Sequence, residues 1–128
     1  MAKILVVDDE PDVVEIVRLR LEQDGHTILT AGDGKAGLQS AQDNKPDLMI
    51  LDVMMPGLDG FEVAYQMKNN PPTANLPIVM LTARADFGSI AKGWNLDVDN
   101  YVTKPFKLDE LADTVKSVLI YRGKLQAD

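Results

Sequence analysis

The sequence predicts an α/β protein in which five short parallel strands form one doubly wound sheet of order 2-1-3-4-5. Short apolar segments alternate with segments of helical periodicity along the whole chain, which is the pattern of repeated β-α units. The first, third and fourth apolar segments are apolar throughout, as expected where helices cover both faces of a parallel sheet. Right-handed crossovers between such strands favour the doubly wound arrangement.

The composition is that of one globular domain without a membrane segment. The 128 residues are 45% hydrophobic and 26% charged, and no apolar run approaches the roughly 20 residues of a membrane span. The chain contains no cysteine, and its first apolar run is too short for a signal peptide, so we expect a cytoplasmic protein. The net charge of −7 argues against direct binding of nucleic acid, which usually needs a basic face.

Local signals predict the elements of the first half of the chain. Pro11 is a preferred first residue of a helix and Gly25 a preferred residue after its end, so these two residues bound the first helix. The continuous apolar segment before Asp52 predicts a buried strand. In order, we predict a strand at 3–7, a helix from Pro11 to the stop at Gly25, a strand at 26–31, a helix at 35–42 and a strand at 47–51.

The second half begins with a predicted helix whose N-cap is Asp59. The segment 69–77 contains three prolines, which exclude regular secondary structure there. The last helix is amphipathic, with apolar residues at helical spacing: Leu108, Leu111, Val115, Val118 and Leu119. In order, we predict a helix at 60–68, a strand at 77–81, a helix at about 86–96, a strand at 100–103 and a helix at 108–121.

Polar residues follow four of the predicted strands. Asp8 and Asp9 follow strand 1, and Asp52 follows strand 3. Thr82 follows strand 4, and Lys104 lies just after strand 5. Ligands of doubly wound sheets bind beyond the carboxyl ends of the strands, at the point between strands 1 and 3 where the order reverses. The sequence therefore predicts one site with three carboxylates, a hydroxyl group and an ammonium group.

These groups predict a magnesium site that can accept a phosphoryl group. Neighbouring carboxylates raise one another's pKa unless a cation is present, and oxygen ligands without His or Cys favour Mg²⁺. Three acids and one lysine carry a formal charge of −2, which Mg²⁺ would neutralise. A carboxylate beside Mg²⁺ and a lysine can take a phosphoryl group as an acyl phosphate. Asp52 therefore lies where a metal ion and a phosphoryl group can both reach it.

At these residues the chain resembles the receiver domain of two-component response regulators, including the chemotaxis regulators. The resemblance is carried by four blocks in the family's order: DDE after ILVV, LDVMMPGLDG, PIVMLTA and NYVTKPF. It covers nearly all of the chain and implies the flavodoxin-like (βα)5 fold. It also implies a receiver domain at 1–122 and a C-terminal tail at 123–128.

The resemblance implies a role for each site residue. Asp52 is the expected phosphoryl acceptor, and Asp9 and Asp52 are expected to bind Mg²⁺ directly. The backbone carbonyl of Met54 is the expected third ligand from the protein, and Asp8 is expected to act through a water molecule. The Asp52 side chain is therefore expected both to bind the metal ion and to accept the phosphoryl group.

The remaining roles concern binding and signalling. Lys104 and Thr82 are expected to hold the phosphoryl group, and Thr82 and Tyr101 are expected to change position on activation. The Lys104–Pro105 peptide bond is expected to be cis. The resemblance implies a signalling domain rather than an enzyme, with a sensor histidine kinase or histidine phosphotransfer protein as its donor. The downstream partner, an output protein or a fused effector domain, stays open.

Some positions depart from the family's pattern. Asp97 replaces a glycine at the predicted end of the fourth helix, and aspartate tolerates the left-handed conformation better than most residues. Thr114 stands where DNA-binding regulators have an arginine that they use to dimerise. Both a monomer and a phosphorylation-dependent dimer therefore stay open.

Met54 and Arg84 are predicted to cover the phosphoryl group. Trp94 is predicted to be either a core residue or a contact with a partner protein.

Two alternative functions stay open from the residues alone. The segment 32–37 reads GDGKAG, which fits the GxGxxG pattern of dinucleotide-binding domains. Asp52 lies near the position, further along the chain, at which such domains have an acidic residue. The pattern follows the second strand, however, and it gives no role to Asp8, Thr82 or Lys104. A Mg²⁺-dependent phosphohydrolase would usually have a second acid two residues after the nucleophile, where this chain has Met54.

His26 starts a strand without a ligand partner and is predicted to be structural.

Overall fold

The computed structural model describes residues 1–83, 96 and 98–126. The strands are β1 (Lys3–Val7), β2 (Thr27–Ala31), β3 (Leu48–Asp52), β4 (Ile78–Thr82) and β5 (Asn100–Thr103). The helices in the described ranges are α1 (Pro11–Gln23), α2 (Gly34–Asn44), α3 (Gly60–Lys68) and α4 (Leu108–Tyr121). Arg84, Trp94, Asp97 and all but the last residue of the helix predicted at 86–96 lie outside the described residues.

All five strands are parallel and form one sheet of order β2-β1-β3-β4-β5, as predicted. The order reverses between β1 and β3, where Val7 pairs with Leu51. Further along, Asp52 pairs with Leu81, and Thr82 pairs with Thr103. The register therefore brings the carboxyl ends of β1, β3, β4 and β5 to one edge of the sheet.

The central strands are buried because helices cover both faces of the sheet. Side chains alternate along each strand, so Leu5 and Met49 pack into one apolar cluster while Ile4 and Leu48 pack into the other. The first cluster includes residues of α2 and α3, which contact each other, and the second includes residues of α1 and α4. This burial on both faces explains why β1, β3 and β4 are continuous apolar segments in the sequence.

Several predicted element bounds differ from the structure, and β2, β3 and β4 each start one residue later than predicted. β3 and β4 end one residue later than predicted, since Asp52 and Thr82 still pair within the sheet. The helix predicted at 35–42 extends over Gly34–Asn44. It begins at Gly34 because Asp33 Oδ1 accepts the N–H of Ala36 over 2.8 Å, and it ends where Lys45 takes the left-handed conformation with φ of 47°.

The proline-rich segment was predicted to have no regular structure, but it contains a short regular turn. Pro71–Thr73 forms a short 3₁₀ turn, a structure in which proline is tolerated near the start. The hydroxyl group of the buried Thr73 donates to the carbonyl of Met67 over 2.9 Å, which holds the turn against the end of α3. The prolines therefore limit regular structure between α3 and β4 to a short turn but do not exclude it.

Two smaller predictions are confirmed. Asp59 is the N-cap of α3, with its Oδ1 accepting the N–H of Glu62 over 2.9 Å. His26 is buried, and its Nδ1 accepts the N–H of Ala2 over 3.2 Å, which ties the start of the chain to the connection before β2. In the described part of the chain, no helix is long and apolar enough to cross a membrane.

Candidate functional site

The carboxyl ends of β1, β3 and β5 bring one lysine into contact with two buried aspartates. Lys104 Nζ lies 3.2 Å from Asp8 Oδ2 and 3.3 Å from Asp52 Oδ1. The Asp8 and Asp52 side chains are almost completely inaccessible to solvent, and Lys104 is 21% exposed. Buried carboxylates are stable only with nearby cations or hydrogen-bond donors, so Lys104 supplies part of what both aspartates need.

Backbone hydrogen bonds fix the positions of these side chains. The N–H of Asp8 donates to the carbonyl of Ala31 over 3.2 Å, which extends the pairing of β1 with β2 by one residue. The N–H of Lys104 donates to the carbonyl of Thr82 over 2.7 Å, which extends the pairing of β4 with β5. The side chains of Asp8 and Lys104 therefore lie directly beyond regular strands of the sheet.

A glycine allows α3 to begin directly beside the end of β3. A Cβ atom at Gly60 would lie 2.5 Å from the carbonyl oxygen of Asp52 and 2.7 Å from Cα of Val53. Contacts this short do not occur for real side chains, so position 60 accepts only glycine without a shift of the backbone. The close approach brings the N-terminus of α3 against the backbone of Asp52.

The sequence interpretation missed one acid at this site. Glu10 Oε1 lies 3.6 Å from Lys104 Nζ, and its side chain is 63% exposed. Together with Asp8, Asp9 and Asp52, Glu10 forms a group whose nearest carboxylate oxygens all lie within 4.8 Å of one another. Glu10 is the third residue of the DDE block, but an acid directly before the proline that opens a helix is common at protein surfaces, and the sequence interpretation gave a role only to the two aspartates.

The electrostatic environment raises the pKa of Asp52 to about 6. Burial is the largest cause, and the neighbouring charge of Asp8 adds to it. Lys104 and the N–H of Met54, which donates to Asp52 Oδ1 over 3.4 Å, oppose the increase. Burial alone would lower the pKa of Lys104, but the charges of Asp52 and Asp8 outweigh it and raise that pKa.

The acid group fits a hard divalent cation. Asp52 Oδ2 is buried and has no hydrogen-bond partner among the residues that the structure describes. A buried oxygen of this kind needs a ligand, an ion or a water molecule. The carboxylates of Asp8, Asp9 and Asp52 converge within 4.8 Å without histidine or cysteine, which is the donor set that Mg²⁺ prefers.

The other predicted site residues lie around this group. Thr82 is completely buried at the end of β4. Tyr101 lies on the neighbouring β5, opposite Met80, and is 44% exposed. Met54 follows the strand that carries Asp52 and is 61% exposed. The Lys104–Pro105 bond is cis, as predicted.

Two of the three glycines of the GxGxxG pattern, Gly34 and Gly37, have a packing role that does not involve a nucleotide. A Cβ atom at Gly34 would lie 2.7 Å from Val63 Cγ2, and one at Gly37 would lie 2.9 Å from Val7 Cγ2. These glycines therefore let α2 approach α3 and the sheet closely. Asp33, between the first two glycines, caps α2. The structure thus accounts for Asp33, Gly34 and Gly37 without a pyrophosphate site.

Comparison with known proteins decides the family. The sequence profile of the response regulator receiver domain matches residues 4–116. The chain belongs to this family. Receiver domains act in signalling rather than as metabolic enzymes, and response regulators work with histidine kinases and output domains. The family binds Mg²⁺ in an acidic pocket, which agrees with the acid group described above.

Individual relatives support the assignment. The receiver domain is 44% identical over 117 residues to the alkaline phosphatase synthesis transcriptional regulatory protein PhoP of Bacillus subtilis, covering 91% of this chain and 48% of that protein. It is 39% identical over 120 residues to the phosphate regulon transcriptional regulatory protein PhoB of Pseudomonas aeruginosa, covering 94% and 52%. The chain therefore spans about half the length of these curated relatives.

The fold matches solved receiver structures. The chemotaxis protein CheY4 of Vibrio cholerae superposes with a TM-score of 0.85 at 32% identity, covering 93% of this chain and 99% of that one. A response regulator from Chloroflexus aurantiacus superposes with a TM-score of 0.83 at 36% identity, covering 92% and 97%. The flavodoxin-like receiver fold predicted from the sequence is thereby confirmed.

Proposed function

We propose that this receiver domain accepts a phosphoryl group on Asp52 from a phosphohistidine of a sensor kinase or a phosphotransfer protein. The observation that carries the proposal is the state of the Asp52 carboxylate. One of its oxygens faces Lys104, and the other is buried without a hydrogen-bond partner among the described residues. A carboxylate held in this way is oriented for reaction rather than used as a structural bond.

The transfer is a displacement at phosphorus. An oxygen of Asp52 attacks the phosphorus atom, the new O–P bond forms as the P–N bond breaks, and the electron pair of that bond stays on the leaving imidazole nitrogen. Lys104, within 3.3 Å of the acceptor, stabilises the negative charge of the phosphoryl oxygens. The hydroxyl group of Thr82 binds one of these oxygens, since Thr82 ends the strand next to Asp52.

Mg²⁺ completes the proposed site. Asp9, Asp52 and the backbone carbonyl of Met54 would hold the ion directly, and Asp8 would hold it through a water molecule. The converging carboxylates and the buried, unpartnered Asp52 Oδ2 support this assignment. When bound, the ion neutralises charge on the acids and on the transferring group.

Phosphorylation then changes the surface of the domain. Thr82 and Tyr101 lie on the neighbouring strands β4 and β5, so a shift of Thr82 towards the phosphoryl group is passed to the exposed Tyr101. The output is a partner protein, a dimer or an attached effector domain.

We propose residues 1–122 as the receiver domain and 123–128 as a tail. We propose the cytoplasm as the location of the protein, where histidine kinases present their phosphoryl groups.

Covalent labelling tests the acceptor. Incubation with acetyl phosphate and Mg²⁺ should add one phosphoryl mass to the intact protein, and peptide mapping should locate it on Asp52. Asp52→Asn should abolish the addition, whereas Asp12→Asn, a control that removes one exposed carboxylate outside the acid group, should retain it. A label on a serine, threonine or histidine would refute the proposal.

A further inference from the structure

Within the described ranges, three carboxylates share the ammonium group of Lys104, and one of these three is open to solvent. Asp8 and Asp52 reach Lys104 from the buried side, at 3.2 and 3.3 Å. Glu10 reaches it at 3.6 Å with a side chain that is 63% exposed. A molecule that enters from solvent to place its phosphoryl group beside Lys104 therefore meets Glu10 before it meets the buried acids.

The position of Glu10 is not explained by the start of α1. Glu10 is the N-cap residue of α1, but its side chain makes no capping hydrogen bond. Its backbone is held instead, because its N–H donates to Asp8 Oδ1 over 3.0 Å. The carboxylate is thus free of a helix-capping role and projects towards Lys104 from a fixed backbone.

The charge of Glu10 changes the balance of the site. Among the residues that the structure describes, four carboxylates and one ammonium group carry a formal charge of −3, so a bound divalent cation leaves −1. Without the exposed Glu10 the same site would be neutral. Asp9 and Glu10 are the two exposed acids of this group, and Asp9 is a proposed ligand of the ion. An approaching dianion is therefore repelled chiefly by Glu10, whereas a donor with a positive group near its phosphorus atom is attracted.

From this geometry we infer that Glu10 determines which phosphoryl donors the site accepts, favouring N-phosphoryl donors with a protonated nitrogen over acyl phosphates. The inference rests on the proposed acceptor role of Asp52 and adds a residue that selects the donor. Glu10 acts as a specificity-determining residue through its charge and does not bond to the phosphoryl group.

The two donor classes differ in the charge of their leaving groups. Acetyl phosphate loses acetate, which keeps the electron pair of the broken O–P bond and becomes negative beside Glu10. Phosphoramidate carries a protonated nitrogen, which keeps the electron pair of the broken P–N bond and departs as neutral ammonia. In both cases an oxygen of Asp52 forms the new bond to phosphorus. The negative charge of Glu10 therefore disfavours the release of acetate from acetyl phosphate. The same charge attracts the cationic nitrogen of phosphoramidate as that donor binds.

The test compares the two small donors on three proteins. Rate constants for mass addition are measured with phosphoramidate and with acetyl phosphate, at saturating Mg²⁺, for wild type, Glu10→Gln and Asp12→Asn. Glu10→Gln should lower the ratio of the phosphoramidate rate to the acetyl phosphate rate about fivefold, which corresponds to the ~1 kcal/mol between unit charges about 4 Å apart in water. Asp12→Asn removes the same charge from the first turn of α1 and should keep the wild-type ratio.

Salt provides a second measurement. Higher ionic strength should lower the preference of wild type for phosphoramidate and leave the ratio of Glu10→Gln nearly constant, because screening acts on the charge that the variant lacks. If wild type and Glu10→Gln both label Asp52 with equal ratios, the inference about Glu10 is overturned and the acceptor proposal stands. If neither donor labels Asp52 in wild type, both are overturned.

Discussion

The ammonium group of Lys104 donates a hydrogen bond to Asp8 Oδ2 over 3.2 Å, joining residues 96 positions apart in the chain. The same nitrogen lies 3.3 Å from Asp52 Oδ1, so one cation holds two buried carboxylates together. The lysine is therefore a structural cation before any phosphoryl group arrives, and the chemistry of the site is tied to the stability of the fold.

Removing this cation should destabilise the metal-free protein. Lys104→Met should lower the free energy of unfolding at neutral pH by about 1–3 kcal/mol, because it leaves Asp8 and Asp52 buried without their cation. Urea denaturation with a chelator present measures the loss. Lys35→Met, which removes an exposed lysine of α2, is the matched control and should change stability little. Equal stability of wild type and Lys104→Met would contradict the structural role.

The raised pKa of Asp52 predicts a pH dependence of the metal-free protein. The folded state binds the proton with a pKa of about 6, and the unfolded state with the ordinary value of 3.8. Between these values the folded state keeps a proton that the unfolded chain has lost. The free energy of unfolding should therefore fall as pH rises from about 4 to about 6, by an amount on the order of 2 kcal/mol from Asp52.

The Asp52→Asn variant isolates this contribution. Because asparagine does not titrate, the variant should gain stability relative to wild type as the pH is raised from 4.5 to 7.5. Urea unfolding of both proteins at the two pH values, with a chelator present, gives the difference. A stability difference that is the same at both pH values would show that Asp52 titrates normally.

Magnesium should stabilise the receiver domain by binding the folded state. Saturating Mg²⁺ should raise the melting temperature, since the converging carboxylates exist only after folding. Asp9→Asn should weaken this increase and should leave the metal-free protein equally stable or more stable, because it removes one of the repelling acids. Asp12→Asn should respond to Mg²⁺ like wild type. Melting curves that Mg²⁺ does not shift would argue against a shared metal site.

Met54 should prolong the lifetime of the phosphorylated form. Hydrolysis of an acyl phosphate needs a water molecule in line with the bond that breaks, and a thioether accepts hydrogen bonds only weakly. Met54→Asn should shorten the half-life about tenfold if one positioned water contributes about 1.4 kcal/mol. The decay of the phosphorylated mass measures it, with Leu19→Asn as a control at an exposed apolar residue of α1. A wild-type half-life of seconds would contradict the prediction.

The fold and most of the site could be predicted because their signals are local. The buried parallel strands are continuous apolar segments, and polar residues such as Asp8 and Lys104 stand directly after them. The doubly wound order then brings these residues to one edge without further information. The predicted end of β3 was one residue short, because Asp52 is polar but still pairs with Leu81 in the sheet.

The role of Glu10 could not be predicted in the same way. An acid before a helix that begins with proline is a common surface feature, and nothing nearby in the sequence distinguishes Glu10 from Asp12. Its importance depends on a contact with Lys104, which comes from the other end of the chain. The 3₁₀ turn at Pro71–Thr73 was missed for a different reason: the three prolines were taken to exclude regular structure, although proline is tolerated near the start of such a turn.

The close packing at Gly60 affects how mutational screens of this domain should be interpreted. A methyl group added there would press on the carbonyl oxygen of Asp52, although Gly60 offers no group that could react. A screen that scores signalling alone would rank Gly60 with the acceptor and the lysine, and so assign a chemical role to a steric constraint. Substitutions at Asp52 and at Gly60 are distinguished by the folded state: the first leaves the backbone in place, and the second must displace it.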